Sequence, residues 1–289
     1  MKVIQFPEIS SEFITSEKNT IVFGGFDSMH IGHLELFKKA LAENKNAIVS
    51  IVQNIENSPK NTDNKTIFSL RNRLDILNAI EIQNVLLIKL DEKLINLEPW
   101  DFIDEITKKY KIEKIVVGED YKFGKDAKWN AKNLKEYFPN TIIVPLIKIG
   151  NYKIGTKLIS EMIKTGEVSD LNSLLIKFFS IDIDLVSSLE FQYPKKIIKI
   201  HNGIYACLVY INNVIYHATV LIDVENKNII KFFNYNYEKP QNNIRISFIQ
   251  EIRIITKKSD SKIFSEDEKT SKIFLLNYAK INSNSDLIW

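Results

Sequence analysis

Two histidines three residues apart, His30 and His33, close the run Gly24-Gly25-Phe26-Asp27-Ser28-Met29-His30-Ile31-Gly32-His33. The run follows the apolar stretch Thr20-Ile21-Val22-Phe23 and leads into a helical pattern from about Ile31. In a strand–loop–helix setting, this order brings backbone N–H groups and imidazole donors to one phosphate-sized spot. Gly24 and Gly25 place no side chain in the way of a nucleotide. The first turn of the helix offers unpaired N–H groups and the positive end of its dipole to an anion. The i, i+3 spacing sets both imidazoles on one face. The Gly-Lys-Ser/Thr ending of a P-loop is missing, so the chemistry suggested is nucleotidyl transfer, with attack on an α-phosphate and loss of pyrophosphate. A His pair at this spacing also occurs as a plain structural or solvent-facing feature. Zinc is a further reading, but the single Cys207 is far away in sequence and no third ligand stands nearby.

The elements that must hold these groups alternate from residue 20 to about 150. Short β-branched runs stand at Ile21–Phe23, Ala47–Val52, Val85–Leu90, Ile115–Val117 and Thr141–Ile147. Segments of helical period lie between them at Leu34–Ala42, Ile67–Ile80 and Pro99–Tyr110, the last with Pro99 suited to a first turn. Strands alternating with helices predict βαβ units and a parallel sheet, whose ligands bind at the C-terminal ends of the strands. Helices are predicted at Thr156–Lys164 and Ser169–Phe178, with Thr165-Gly166 as a stop and Ser169 as an N-cap. After about residue 180 the texture turns β-rich. Gly203–Ile211 and Val214–Ile222 read as a hairpin through Asn212-Asn213, followed by strands at Ile229–Tyr235 and Ile244–Thr256 and a helix over Glu266–Ala279.

Bulk properties narrow the class. The chain has 289 residues, with 45% hydrophobic and 26% charged, the profile of an ordinary globular protein long enough for one large or two modest domains. A net charge of +3 is too weak to imply nucleic acid or an anionic membrane as a main partner. One cysteine excludes an intrachain disulfide framework and fits a reducing cytoplasm. The N-terminal residues show no signal-peptide core, and no apolar run reaches the roughly 18 residues a membrane span needs.

The first run is similar to the GxFDxxHxGH signature of the adenylyl- and cytidylyltransferase superfamily. A second segment, Val116-Val117-Gly118-Glu119-Asp120-Tyr121-Lys122-Phe123-Gly124, resembles the VGxDFxFG stretch of the bacterial bifunctional riboflavin kinase/FAD synthetase family. The order and spacing of elements follow that family along nearly the whole chain. The resemblance implies an α/β fold: a Rossmann-like nucleotidyltransferase domain with a parallel sheet over 1–180, then a smaller β-barrel-like flavokinase-type domain with a C-terminal helix over 181–289. It implies that AMP passes from ATP to FMN, giving FAD and pyrophosphate, with Mg²⁺ accompanying the triphosphate and no all-protein metal site. His30 and His33 would donate to the α-phosphate oxygens. Gly24, Gly25 and Phe26 would line the adenylate side, Gly32 would let the helix start approach the phosphates, and Asp27 would cap the helix and orient the loop, with a direct catalytic role as the alternative. Asp120, Tyr121 and Phe123 would contact the flavin and nucleotide, the two aromatics being core residues on the alternative reading. Arg71 and Arg73 are candidate phosphate ligands or a solvated face. The implied partners are small molecules, with oligomeric state left open.

Three departures qualify the resemblance. Ser28 stands where the family usually has Gly. The phosphate-binding ISSTxxR-like segment aligns with Ile154 to Ser160, so its Arg falls on Ser160, leaving Thr156 and Lys157 to hold phosphates. Neither the PTAN-like stretch nor the catalytic Glu of a flavokinase is found, since Ile229-Ile230-Lys231-Phe232-Phe233 carries no carboxylate. The second domain therefore reads as a degenerate kinase module. The alternatives are a transferase acting on another phosphate substrate, and a flavin- or nucleotide-binding protein without turnover. A class I aminoacyl-tRNA synthetase shares the His30-Ile31-Gly32-His33 string, but its second signature has only the poor match Lys257 to Lys262.

Overall fold

The computed structural model describes residues 1–8, 18–58, 63–186, 189–212, 214–233 and 242–284. Its contacts gather into two compact units, one of Met1–Asn64 with Arg73–Gly155, the other of Lys65–Asn72 with Thr156–Trp289.

Up to Gly155 the chain runs β1 (Lys2–Gln5), β2 (Asn19–Phe23), α1 (Ile31–Glu43), β3 (Ile48–Val52), α2 (Leu70–Ala79), β4 (Asn84–Ile88), α3 (Glu92–Ile95), α4 (Pro99–Lys109) and β5 (Ile112–Gly118). It continues with β6 (Lys122–Phe123), β7 (Trp129–Asn130), α5 (Ala131–Tyr137), β8 (Thr141–Val144), β9 (Lys148–Ile149) and β10 (Tyr152–Lys153). Six of these strands form one sheet in the order β1-β4-β3-β2-β5-β8, every pair parallel. A parallel sheet is covered on both faces and its strands read as continuous apolar runs. Ile21, Val22, Val49, Ile51, Ile115, Val116 and Val117 are accordingly all fully buried. Pro99 stands in the first turn of α4 as expected, and Ile103 and Ile106 carry that helix onto the core.

The strand order supplies what the alternation could not. From β2 the chain builds β3 and β4 to one side, then returns to place β5 and β8 on the other. The direction reverses between β2 and β5, and ligands of open α/β sheets lie beyond the strand ends at such a point. Phe23 pairs with Val117, so the loops that leave β2 and β5 start side by side. Both sequence motifs occupy those two loops.

The second unit contains α6 (Thr156–Thr165), α7 (Val168–Leu174), β11 (Ser180–Ile183), β12 (Glu190–Phe191), β13 (Gly203–Ile211), β14 (Val214–Ile222), β15 (Asn228–Phe232), β16 (Ile244–Ile254) and α8 (Ser265–Asn284). Its sheet is antiparallel, ordered β11-β16-β13-β14-β15-β12. A bridge from Leu185, just past β11, to Phe191 in β12 ties the two edge strands together and makes the sheet barrel-like. The β13–β14 turn holds Asn212 at φ +49°, the left-handed conformation expected of it; Asn213 and the Asn234-Tyr235 end of the expected third strand lie outside the described residues. Gly166, at φ +83°, ends α6 by donating to Met162 O at 3.0 Å. Ser169 does not cap α7. Glu167 holds the N-cap position, and the Ser169 N–H is taken by the Glu251 carboxylate. The short segment Lys65–Asn72 joins this unit through Thr66 N–H to Lys196 O, Ser69 Oγ to Asp182 and Asn72 Nδ2 to Ser180 O.

Candidate active site

At the end of β2 the helix α1 begins with His30 as its N-cap and His33 at the third helical position. The two side chains cap each other reciprocally. His33 N–H donates to His30 Nδ1 at 3.3 Å, and His30 N–H donates to His33 Nδ1 at 3.4 Å. Their rings stack at 3.7 Å with 14° between planes. A neutral imidazole that accepts at Nδ1 carries its proton on Nε2. The cap therefore fixes both tautomers and leaves each histidine one donor, Nε2–H. Burial keeps the rings neutral. It lowers the His30 pKa to about 4, partly offset by Asp120 and assisted by Lys153. It also holds the His33 pKa well below its ordinary value, with the His30 and Lys153 charges adding to the effect.

The loop between β2 and α1 is shaped by its own side chains. Phe26 at φ +48° and Met29 at φ +37° both adopt left-handed backbone, at a cost of about 1–2 kcal/mol each for a non-glycine residue. Both are fully buried, so packing holds them there. Phe26, expected beside the adenylate, is instead a core residue, edge-on to His33 and packed on Phe37. Its ring explains Gly24, where a Cβ would lie 2.5 Å from Phe26 Cζ. Gly32 answers to the cap in the same way, since a Cβ would lie 2.9 Å from His30 Cε1. Gly25 meets only Ile55, at 3.6 Å, an ordinary contact, so no protein neighbour requires a glycine there. Asp27 does not cap α1, because His30 does. It is buried, and its charge acts on Arg73. Arg73 is itself buried, donating to Val52 O at 2.7 Å and Gln53 O at 3.0 Å at the end of β3. That guanidinium braces the loop ends through both of its terminal nitrogens. Arg71 is exposed and donates to Asn243.

Beyond β5, Asp120 is exposed and forms an ion pair with Lys153. Gly118 lets it turn back across the strand end, with Oδ1 only 3.2 Å from where a Cβ would stand. Tyr121 and Phe123 stack on each other at 5.2 Å, and Tyr121 also lies parallel to Phe23 at 6.2 Å. Both rings pack against the core of this unit, and burial pushes the Tyr121 hydroxyl pKa upward. Gly124, at φ +76°, fits tightly beneath Pro99 of α4.

The structure thus brings His30, His33, Gly25, Asp120 and Lys153 together at the strand reversal, with Phe26, Asp27, Tyr121 and Phe123 as the packing that positions them. Thr156 and Lys157 open α6 in the second unit. Lys153 was not singled out from sequence, although it directly precedes the Ile154–Ser160 segment; its signal is the pairing with Asp120, 33 residues earlier. Among the described residues no group of three or more His, Cys, Asp or Glu is placed to hold a metal ion. Among them, too, no helix is long and apolar enough to cross a membrane.

Known proteins place this geometry. A bifunctional riboflavin kinase/FMN adenylyltransferase from Buchnera aphidicola is 26% identical over 214 residues, 66% of this chain and 68% of that protein. One of the same name from Bacillus subtilis is 21% identical across 90% of this chain and 92% of its own length. A solved structure described as a macrolide-efflux protein from Streptococcus pneumoniae shares the fold, with a TM-score of 0.75 and 22% identity over 99% of this chain and all of that one. The model of the FAD synthetase family matches residues 13–178, more than half of the 289. With the paired imidazoles at the strand reversal and that match across them, the chain belongs to the FAD synthetase family, enzymes that adenylylate FMN.

Proposed function

We propose that this protein transfers the adenylyl group of ATP to the phosphate of FMN, and that it does not phosphorylate riboflavin. An FMN phosphate oxygen attacks the α-phosphorus of ATP. The bond from that phosphorus to the bridging oxygen breaks, and pyrophosphate leaves. The nucleophile is already an anion, so the site needs no base; it needs positioning and charge stabilisation. The observation that carries the reading is the reciprocal His30–His33 cap, which leaves each ring a neutral Nε2–H donor at a helix N-terminus. Being neutral, they cost little to desolvate as the nucleotide arrives, yet they strengthen as charge builds on the α-phosphate oxygens.

Gly25 gives the nucleotide access to the loop backbone. Gly24, Phe26 and Gly32 hold that loop and the cap in shape, and Asp27 keeps it in register through Arg73. Asp120 meets the flavin side, with Tyr121 and Phe123 as the wall behind it. Thr156 and Lys157 keep the phosphate-binding role assigned to them from sequence, to be tested by substitution. Mg²⁺ enters as part of the substrate, MgATP. We assign adenylyl transfer to residues 1–180. The 181–289 region is assigned no kinase activity: its β15 carries Lys231, paired with Glu268, on the strand where a flavokinase has its carboxylate. Binding of flavin or nucleotide without turnover is the second reading, favoured by Ser160 in the place of the family's Arg.

Purified protein with ATP and Mg²⁺, offered FMN or riboflavin in separate tubes and followed by chromatography, tests both parts. FAD from FMN, lost in His33→Ala, with no FMN from riboflavin, is the expected result. Binding of ATP and FMN by calorimetry without product would favour the second reading. FMN formed from riboflavin would overturn the assignment of the second unit.

A further inference from the structure

The site has to accept a great deal of negative charge, roughly four charges on ATP and two on FMN at neutral pH. Its paired histidines are neutral and offer none in return. Arg73 lies nearby, but burial and two backbone carbonyls occupy it. Among the described residues of the first unit, the cation whose field reaches both imidazoles is Lys153. It stands at the end of the β9–β10 hairpin, with Tyr152 paired to Ile149 and Lys153 to Lys148. Its side chain keeps 44% of its surface exposed while it pairs with Asp120, itself 48% exposed. An exposed ion pair of this kind is worth little, commonly under about 1 kcal/mol, and is readily exchanged.

We propose that Lys153 is a phosphate ligand of the adenylyl-transfer site, held by Asp120 in the free protein and exchanging that carboxylate for the triphosphate when ATP binds. The assignment deepens the adenylyl-transfer reading and rests on it. Gly118 makes the exchange possible: lacking a Cβ, it lets Asp120 fold back over the end of β5, where its carboxylate can hold the ammonium next to the His loop. The exchange also ties the two sides of the site together. Once the triphosphate has taken Lys153, the Asp120 carboxylate is released toward the flavin side. A Lys ammonium serves here as a movable point charge, which the planar fork of an Arg would do less freely.

The test is ATP binding by calorimetry in the absence of flavin, beside FAD formation, in wild type, Lys153→Gln, Lys153→Arg and Asp120→Asn. Because Lys153 is exposed, the variants should fold, and circular dichroism melts would verify it. A lost charge-assisted contact should weaken ATP binding about ten- to hundredfold in Lys153→Gln. Pyrophosphate binding should weaken with it, adenosine binding should not change, and Lys153→Arg should recover most of the loss. Asp120→Asn, which removes the competing carboxylate, should bind ATP severalfold more tightly. Unchanged ATP affinity in Lys153→Gln, with wild type still making FAD, would overturn the Lys153 assignment alone. Wild type that makes no FAD, while Lys153→Gln still loses phosphate-dependent binding, would overturn the reaction and keep the ligand. An Asp120→Asn loss matching that of Lys153→Gln would show that the pair acts as a fixed strut and would overturn the exchange.

Discussion

Two helices of the first unit begin with the same reciprocal cap built from different residues. In α5, Asn130 accepts from Asn133 N–H and Lys132 N–H, and Asn133 accepts from Asn130 N–H at 3.1 Å. In α1, His30 and His33 make the corresponding pair of bonds, at the longer distances of 3.3 and 3.4 Å. Asparagine is among the best N-caps and histidine is not. If starting a helix were the whole task, the α5 solution would serve both places. What the imidazoles add is a second nitrogen on the far side of each ring, held as a donor by the bond the first nitrogen makes. The α5 cap lies on an exposed turn, whereas His30 is only 7% exposed and at the strand reversal. Under the proposed adenylyl transfer, the contrast separates the part of α1 that is architecture from the part assigned to chemistry.

Grafting the asparagine cap onto α1 breaks the comparison most directly. His30→Asn and His33→Asn should each keep a helix N-terminus but remove an Nε2–H donor. FAD formation in single-turnover experiments should fall about 10²–10³-fold for each, with a much smaller change in ATP affinity. Equal losses in binding and rate would mean that the rings only shape the pocket.

The next effect is on stability against pH. His30 has a pKa near 4 in the folded protein against 6.5 ordinarily, so below 6.5 the unfolded chain takes up protons that the folded one refuses. Stability should therefore be full above 6.5 and decline as pH falls toward 4. For one such group the complete difference is roughly 3 kcal/mol. His33, shifted in the same direction, steepens the decline. Denaturant unfolding across this window should show a markedly flatter acid limb in the double Asn variant. An unchanged slope would place the titrating groups elsewhere.

Gly24→Ala gives a smaller, purely steric test. The new Cβ meets the Phe26 ring, which the core holds on its other sides. Overpacking of this kind costs about 1–3 kcal/mol, to be read as a lower midpoint in urea. Gly25→Ala, with only an ordinary contact at Ile55, should cost less and act instead on nucleotide access. Reversal of that order would mean that the loop, not the ring, sets the requirement.

Much of this was legible beforehand. The apolar runs at Ile21–Phe23 and Ile115–Val117 and the periodic segments between them follow from burial on both faces of a sheet, a local property of the residues. Gly166 and Asn212 stand where backbone of positive φ is needed, and both were readable for that reason. Other elements were not readable. Strand β1 is four residues long and exists through its pairing with Asn84–Ile88, far along the chain. The stretch Lys65–Asn72 looked like the start of an ordinary helix, yet bonds to Lys196, Asp182 and Ser180 place it in the second unit. In the site, residue types mark His30, His33 and Asp120, but Phe26, expected beside the adenylate, is buried in the core, and the cap expected of Asp27 is made by His30. Composition cannot say which face of a tight loop turns inward.

By itself, the amino-acid sequence determined the alternation of strands and helices, the change to β-rich structure near residue 180, and the glycine- and histidine-bearing loop after β2. Each follows from periodicity, turn chemistry or residue type within a few neighbours. Only the tertiary structure decided that the order of strand addition reverses between β2 and β5, that two histidines cap one helix through Nδ1 and so donate through Nε2, and that Lys153 meets Asp120 beside them. Those facts depend on which strands become neighbours and which side chains lose water together. Long-range packing sets both, and no local pattern in the chain encodes either.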